Sequence, residues 1–375
     1  MLKRCLGPVV VLVCLSGSAV AAGLDRTELE HRAEAAARHL VAVETVEGRF
    51  FYEFDFLLSR FTADDNIVRQ AGAGFILNQF LYESGKPAFI EPAARTIAYY
   101  AAKSVPHGDG QIISEDGTLA GGRAGALALA LLAELYHTRA TGTDFRPDLR
   151  LDWLQGIAAQ QLANGGIAQR PGDSSEDSYA TGETWLALAH YLDLFPGTAE
   201  AEAVLVPLEA LVMEKYLATP DRMFAHWGMM AAAQRFATTG DVRYREFIER
   251  LARAFIREMV PVTSPTANAC AILEGLGAAA GAVANGGDPA LAKELRARLD
   301  HDLPISRALQ IEALQTQVSF GTDRFYQDPK LANFVGAFRN GYYILRTRID
   351  FTQHCLSALL RYRALLPPQQ TTWKN

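Results

Sequence analysis

The chain has few cysteines, no strong excess of one charge, and no long apolar run after its first residues. Four cysteines in 375 residues are too few for a disulfide-rich scaffold. No segment beyond the N-terminus holds enough uninterrupted apolar residues to cross a bilayer. The formal charge of −6, from 36 basic and 42 acidic side chains, argues against a nucleic-acid binder. Since 49% of the residues are hydrophobic, the chain can bury a large core.

The N-terminus has the pattern of a secretory signal peptide. Lys3 and Arg4 precede the apolar run "CLGPVVVLVCL", and the small residues "SGSAVAAG" follow. We therefore expect residues 1–22 to be a signal peptide, cleaved near Ala21 or Ala22, and the mature protein to be periplasmic or secreted. Only Cys270 and Cys355 remain after cleavage, and an oxidising compartment would allow them to pair, although the sequence does not place them together.

Beyond the signal, the hydrophobic pattern predicts helices and few strands. Start signals include Asp288 followed by Pro289 in the first turn of a helix. The predicted helices cover residues 25–45, 64–84, 88–104, 121–141, 148–163, 177–194, 198–217, 222–239, 241–259, 267–285, 288–302 and 350–366.

The helices repeat as pairs, each with a nearly apolar first helix and an amphipathic second helix. "GRAGALALALLAEL" is typical of the first kind, and "DVRYREFIERLARAF" is typical of the second. Such pairs predict an inner and an outer layer, with a repeat of about 50 residues. The turns between them contain a glycine that suits a left-handed helix end, at Gly85, Gly142, Gly197, Gly240 and Gly287.

Pairing helix 25–45 with the end of the chain gives six inner and six outer helices, which is the pattern of an (α/α)6 toroid. The "TTGDVRY" turn, the six-fold count of hairpins and loops such as "SEDSYATGETW" resemble the six-hairpin glycosidase-like superfamily. Its members include unsaturated-glucuronyl hydrolases, sugar 2-epimerases and several glucanases. The resemblance implies an all-α toroid with short loop hairpins at the funnel mouth, formed by residues 23–375 as a single domain. It includes no catalytic signature, so no catalytic residue is assigned from it.

The inner helices place polar residues at one level near their N-terminal ends. Asn66, Arg69, Gln70 and Ala73 share one face of an otherwise apolar helix, which predicts that this face lines the funnel. In the other repeats, the positions at the same level are found by counting back from each turn glycine towards the N-terminus of its inner helix, over roughly 20 Å of helix. These positions are Arg123, Glu183, His226 and Glu274, and the sixth inner helix adds Asp350, Gln353, His354 and Ser357.

These residues, with the loops entering the inner helices, predict a carbohydrate site at the funnel mouth. Aromatic rings can stack on sugars, while carboxylates and guanidinium groups bind hydroxyl or carboxylate groups. The expected substrate-binding residues are Asn66, Arg69, Gln70, Arg123, Tyr179, His226, Trp227, Glu274, Arg339, Tyr342, Asp350, Gln353 and His354. An acidic saccharide is expected, because arginines at 69, 123, 339, 346 and 348 lie near the inner-helix starts.

Glycoside hydrolysis requires a proton donor and a second carboxylate that acts as base or nucleophile. The catalytic candidates are Asp55, Asp65, Asp177 and Glu183. Several of these residues also have a structural interpretation. Asp64, Asp65 or Asn66 could cap a helix, and Glu176 and Asp177 could be first-turn charges that complement the helix dipole. The histidines could be core residues, and Arg69 and Arg123 could bridge inner helices through carboxylates.

Other functions remain open at this stage. A uronate lyase or sugar epimerase would use His226, His354 and Tyr179 with an arginine. A non-catalytic scaffold could bind a polysaccharide during envelope or exopolysaccharide assembly. A zinc site like that of the lanthionine cyclases would use Cys270, His354 and Cys355, but the His-Cys order differs and the usual glycine is missing. We therefore expect no metal, no cofactor and no nucleic-acid partner, and the sequence does not indicate an oligomeric state.

Overall fold

The computed structural model describes residues 25–321 and 323–367. The expected signal peptide, residues 1–22, lies outside the described residues. Within the described ranges there are twelve α-helices. They are α1 (Arg26–Ala42), α2 (Ile67–Ser84), α3 (Ile90–Ala102), α4 (Ala124–Thr141), α5 (Pro147–Gln160), α6 (Ser178–Leu194), α7 (Ala199–Ala218), α8 (Arg222–Thr239), α9 (Val242–Ala254), α10 (Cys270–Ala284), α11 (Pro289–Arg307) and α12 (Ile349–Ala364).

The even-numbered helices form a closed inner ring. Each packs against the next, from α2 through α4, α6, α8 and α10 to α12, and α12 then packs against α2. The odd-numbered helices lie outside them, with α1 against α12, α3 against α2 and α4, and α11 against α10 and α12. The predicted (α/α)6 toroid is therefore confirmed, including the pairing of the first helix with the last.

The composition of the inner helices explains why they occupy the ring. In α4 every residue from Ala124 to Thr138 is buried, so the helix has no solvated face. By contrast, α9 buries only the stripe Tyr244, Phe247, Ile248, Leu251 and Ala252. A helix that is apolar on all sides is stable only when other helices surround it.

The predicted left-handed glycines are partly confirmed. Gly85, Gly142 and Gly240 end their helices with φ of 63°, 66° and 68°. Gly197 also has a positive φ of 78°, but α6 has already ended at Leu194. The expectation for Gly287 is wrong, because its neighbour Gly286 adopts the left-handed conformation with φ of 85°.

Short strands occur in the loops that precede the inner helices. A three-stranded sheet joins β1 (Glu53–Asp55), β2 (Arg60–Phe61) and β7 (Arg346–Arg348) in the order β2-β1-β7, and β1 is antiparallel to both neighbours. Two antiparallel hairpins complete the set: β3 (Ser104–His107) with β4 (Gly110–Ile113), and β5 (Gln317–Ser319) with β6 (Phe325–Gln327). The short loop hairpins expected at this end of the toroid are present.

The hydrophobic core lies between the two helix layers. Trp153, Trp185 and Tyr216 are fully buried there, and the Tyr216 ring stacks on Phe224 with centroids 3.6 Å apart. A smaller cluster around Phe54, Phe56 and Phe334 fixes the long loop between α11 and α12. No helix in the described ranges is long and apolar enough to span a membrane.

Candidate active site

A cavity of about 370 Å³ opens at the N-terminal ends of the inner helices. Its lining comes from the first two turns of α2, α4, α6, α8 and α12 and from residues that precede these helices. The lining residues are Asn66, Val68, Arg69, Arg123, Gly125, Leu129, Gln169, Asp177, Tyr179, Ala180, Glu183, Met223, Trp227, Asp350, Gln353 and His354.

Glu183 on α6 is the most deeply buried carboxyl group of this cavity, with 1% of the residue exposed. Its Oε1 has no hydrogen-bond partner among the described residues. Burial raises the pKa of Glu183 well above its usual range, and the charge of Asp177 adds to the shift. The side chain is therefore suited to hold a proton at neutral pH and to donate it within the cavity.

Asp177 lies at the start of the same helix and is half-buried. Its side chain caps α6 by accepting a hydrogen bond of 2.8 Å from the backbone N–H of Ala180. The neighbouring Glu176 is not free for chemistry, because it accepts hydrogen bonds from Lys215 and Tyr216. Of this adjacent acidic pair, only Asp177 lines the cavity.

His354 on α12 joins a buried cluster beside the cavity. Its Nδ1 lies 2.7 Å from Oε1 of Glu274, and Nε2 of His226 lies 3.8 Å from the same oxygen. Although burial lowers the pKa of His354, the Glu274 carboxylate outweighs burial and raises it. Burial lowers the pKa of His226 to about 4, since the same carboxylate compensates only in part. The two imidazoles therefore favour opposite protonation states.

Aromatic rings form one side of the cavity next to this cluster. The Tyr179 ring is 5.3 Å from the His226 ring and 5.9 Å from the Trp227 ring, measured between centroids. Burial, followed by the charges of Glu183 and Glu274, raises the pKa of Tyr179, so its hydroxyl remains protonated. Tyr179 and Trp227 line the cavity, whereas His226 and Glu274 lie behind its wall.

Arg69 and Asp350 form an ion pair across the α2–α12 contact. Nε of Arg69 is 3.1 Å from Oδ2 of Asp350, and Arg348 approaches the same carboxylate to 2.6 Å. Arg69 also donates to the hydroxyl of Tyr52. Its side chain remains 41% exposed, so the guanidinium group is accessible from the cavity.

The remaining lining residues have defined local roles. Asn66 caps α2 by accepting from the N–H of Arg69, as its position suggested. Arg123 pairs with Glu115 at 2.7 Å. Gln353 lies against Gly72, where a Cβ would be 2.5 Å from its Oε1.

Besides His226 and Glu274, the structure places five predicted site residues outside the cavity. Asp55, in β1, pairs with Arg346 at 2.9 Å. Asp65 pairs with Arg49, also at 2.9 Å. The other three are Gln70, Arg339 and Tyr342, none of which lines the cavity.

Backbone hydrogen bonds occupy polar atoms of all three residues, and Nε of Arg339 is left without a partner among the described residues. Gln70 is fully buried and makes two hydrogen bonds with the backbone of Phe50, so it faces the outer loop rather than the funnel. Arg339 donates to the carbonyl groups of Ser319 and Tyr342, and Tyr342 donates to that of Gly321. These contacts hold the long loop together, which is a structural role.

The arginines that suggested an acidic substrate are mostly neutralised within the protein. Arg346 pairs with both Glu53 and Asp55, while Arg348 pairs with Asp350. Only Arg69 and Arg123 line the cavity, and each has a carboxylate partner. Lining positions that the sequence reasoning missed are Val68, Gly125, Leu129, Gln169, Ala180 and Met223; they are apolar or uncharged and gave no distinct signal.

Cys270 and Cys355 form a disulfide between α10 and α12. Neither sulfur is therefore a thiolate ligand, which contradicts the zinc site considered with His354. Among the described residues, no group of three or more histidine, cysteine or acidic side chains has the arrangement of a metal site.

Comparisons with known proteins agree with this architecture. No protein-family model and no curated relative matches the chain. The α-1,6-mannanase GH76A from Salegentibacter sp. HEL1_6 is similar in structure, with a TM-score of 0.66 and 11% identity over 90% of this chain and 99% of that one. A D-mannose isomerase gives a TM-score of 0.62 with 15% identity, over 91% and 98% of the two chains.

An unsaturated glucuronyl hydrolase specific for heparin is a third similar structure, with a TM-score of 0.56 and 14% identity over 90% and 97% of the chains. At sequence identities of 11–15%, the similarity shows the fold alone. The fold shared with these structures is the (α/α)6 toroid, as the sequence predicted.

Proposed function

We propose that the protein is a carbohydrate-active enzyme that hydrolyses a glycosidic bond in the cavity at the funnel mouth. The observation that carries the proposal is the pair formed by Glu183 and Asp177. One carboxyl group is buried, with a raised pKa, and the other caps the same helix at the cavity wall. Two carboxyl groups in different environments are what acid and base catalysis of this reaction requires.

In the proposed reaction, Glu183 donates its proton to the glycosidic oxygen, and the bond from that oxygen to the anomeric carbon breaks. Asp177 accepts a proton from a water molecule, whose oxygen attacks the same carbon from the opposite face. The two residues are six positions apart on α6, which corresponds to about 9 Å along the helix axis. Inversion at the anomeric carbon would require about 6.5–9.5 Å between the two carboxyl groups, so that the water fits between them and the sugar.

Three other side chains are suited to bind the sugar. Tyr179 and Trp227 provide ring surface, and the accessible guanidinium of Arg69 can donate to hydroxyl or carboxylate oxygens. Because the lining arginines already have carboxylate partners, the charges of the site do not favour an acidic substrate over a neutral one. A neutral oligosaccharide fits this charge balance equally well.

The comparisons support carbohydrate chemistry without identifying the reaction. The similar structures include a mannanase, a glucuronyl hydrolase and a mannose isomerase. One observation favours an isomerase, epimerase or lyase as the second candidate. Glu274 lies between two imidazoles, of which His354 reaches the cavity and has a raised pKa. Such a pair can move a proton at a sugar carbon.

The decisive experiment compares wild type with Glu183→Gln and His354→Gln on neutral and acidic oligosaccharides. Mass spectrometry detects cleavage of the glycosidic bond. Incorporation of deuterium from heavy water into the sugar detects proton transfer at carbon. For a hydrolase, Glu183→Gln should lower cleavage by about 10²–10⁴-fold, because it removes the proton donor. Binding of the same oligosaccharide to Glu183→Gln should persist, which controls for a collapsed site.

Other outcomes reject either the hydrolase or the role of Glu183 in it. Deuterium incorporation without cleavage, abolished by His354→Gln, would establish the second candidate instead. Binding without any reaction in wild type would indicate a polysaccharide-binding scaffold. Cleavage at equal rates in wild type and Glu183→Gln would remove Glu183 from the mechanism.

We also propose that the protein is exported after cleavage near Ala21 or Ala22. The Cys270–Cys355 disulfide supports this proposal, because such bonds persist in oxidising compartments. Mass spectrometry of the protein isolated from its native host tests it. An intact N-terminus in the cytoplasmic fraction would contradict export.

A further inference from the structure

A second cavity, of about 570 Å³, lies at the opposite end of the ring. All six inner helices line it, mostly with residues of their C-terminal halves, and on α6 His190 lies seven positions beyond Glu183 of the funnel mouth, which is about 10 Å along the helix. Its walls combine apolar side chains, such as Met230 and Leu360, with the polar residues Gln79, His190 and Arg361.

Three polar side chains that line this cavity each have one buried atom with no hydrogen-bond partner among the described residues. These atoms are Oε1 of Gln79, Nδ1 of His190 and Nε of Arg361. Gln79 and His190 are only 4% and 5% exposed. Leaving buried polar groups without a partner costs free energy, so three of them around one space point to a molecule that satisfies them.

Neighbouring polar groups already have partners within the protein. Glu83 accepts hydrogen bonds from Gln79 at 2.7 Å and from Arg363 at 2.8 Å. The hydroxyl of Tyr136 lies 3.4 Å from Nε2 of His190. Burial, followed by the charges of Arg139 and Arg361, lowers the pKa of His190 well below its usual range, so this imidazole is neutral.

We propose that this cavity is a second binding site, for a small neutral polyhydroxylated ligand of the size of a mono- or disaccharide. Gln79 needs a donor, Arg361 needs an acceptor, and neutral His190 can serve as either through Nδ1. A hydroxyl group is both donor and acceptor, and the C–H faces of a sugar suit the apolar wall. The volume lies within the range of small-molecule sites.

A neutral ligand fits this end of the toroid better than an anion. The C-terminal ends of six helices direct partial negative charge into the cavity, and Arg361 offsets that charge. A ligand carboxylate would add negative charge at the same place. This site is independent of the proposed hydrolysis, because no residue lines both cavities.

Two methionines are natural reporters for the two cavities. Met230 lines the second cavity and Met223 lines the funnel mouth. Carbon-13 labelling of methionine methyl groups allows both to be followed by NMR during titration with D-mannose, D-glucose and D-glucuronate. Met230→Leu and Met223→Leu assign the two signals.

We expect the Met230 signal to shift saturably with a neutral sugar, and to do so equally in Glu183→Gln. Arg361→Gln should weaken this response at least about tenfold while the Met223 response stays unchanged, because a hydrogen bond to a charged group is lost. Arg257→Gln removes one positive charge from an ion pair with Glu294 at the surface and is the matched control. If Arg361→Gln does not fold, as judged by circular dichroism, Gln79→Leu replaces it.

Three results would overturn the proposal. The first is a Met230 signal that stays constant while Met223 responds, which would mean that the cavity contains only water. The second is a Met230 response that survives both Arg361→Gln and Gln79→Leu. The third is a response to glucuronate alone, which would reject a neutral ligand.

Discussion

The carboxylate of Glu183 rests against the backbone of Gly125 on the neighbouring inner helix. A Cβ at position 125 would lie 2.1 Å from Oε2 of Glu183, far inside van der Waals contact. The absence of a side chain on α4 therefore provides the space in which the buried carboxyl group of α6 is held. This relationship makes Gly125 a positioning residue for the proposed acid.

Gly125→Ala should displace the Glu183 carboxyl group by more than 1 Å and lower turnover by about 10²-fold. Stability should change little, because alanine favours a helix over glycine by about 1 kcal/mol and the Glu183 side chain can rotate away. Steady-state kinetics and thermal unfolding measure the two effects.

Gly281→Ala is the matched control for this substitution. The added Cβ would lie 3.7 Å from its nearest neighbour, a methyl group of Leu365, which is an ordinary contact. Its turnover should equal that of wild type. Full activity in Gly125→Ala would show that the position of Glu183 does not matter for the reaction.

Asp177→Asn should lower the pKa of Glu183, because the charge of Asp177 contributes to its rise. The amide keeps the helix cap to the N–H of Ala180, since asparagine caps as well as aspartate. Infrared titration of the carboxyl group measures the pKa. An unchanged pKa would mean that burial alone accounts for the shift.

The buried histidines should make the protein sensitive to acid, and His39 allows a clean test. Burial lowers the pKa of His39 from 6.5 to about 4. A lowered folded-state pKa means that the unfolded chain binds the proton more readily, so stability is complete above pH 6.5 and falls between pH 6.5 and 4. At pH 5 the loss from this one residue is about 2 kcal/mol.

The free energy of unfolding of His39→Leu, relative to that of wild type, should therefore be about 2 kcal/mol higher at pH 5 than at pH 8. Urea unfolding at both pH values measures the difference. The exposed His31, changed to leucine in the same helix, should give no such pH dependence. A constant difference between His39→Leu and wild type at the two pH values would contradict the buried neutral state.

The disulfide should contribute to stability, because it joins residues 85 positions apart in two inner helices. The double substitution Cys270→Ala with Cys355→Ala should lower the free energy of unfolding by about 2–4 kcal/mol. Denaturant unfolding with and without a reductant measures this loss. Reductant should weaken wild type and leave the double variant unchanged; equal stability of the two proteins would show that the bond is not formed.

The toroid was predictable because the amino-acid composition of each helix indicates whether it belongs to the inner or the outer layer. The buried alanines and leucines of α4 and the single apolar stripe of α9 distinguish inner from outer helices without any tertiary information. Helix ends were less predictable. The expected end of α11 at residue 302 was wrong, because the helix continues past Pro304 to Arg307.

The candidate site was predictable only where helical periodicity determines direction. Glu183, Tyr179 and His354 lie in the first turns of inner helices, and a residue at that level faces either the funnel or a neighbouring helix. Periodicity did not distinguish Arg69, which faces the cavity, from Gln70, which binds the backbone of a distant loop. Asp55 lies in a strand, where helical periodicity gives no direction, and its partner Arg346 is nearly three hundred residues away in the sequence.

The closure of the ring has a consequence for how the chain acquires its structure. The gap between α10 and α2 is filled by α12, the last of the described helices along the chain, and α1 packs on it from outside. No partial chain that ends before α12 can complete the ring, and the carboxylate partner of Arg69 is absent until α12 is added. Closure of the ring and completion of the funnel mouth are therefore one and the same step of folding.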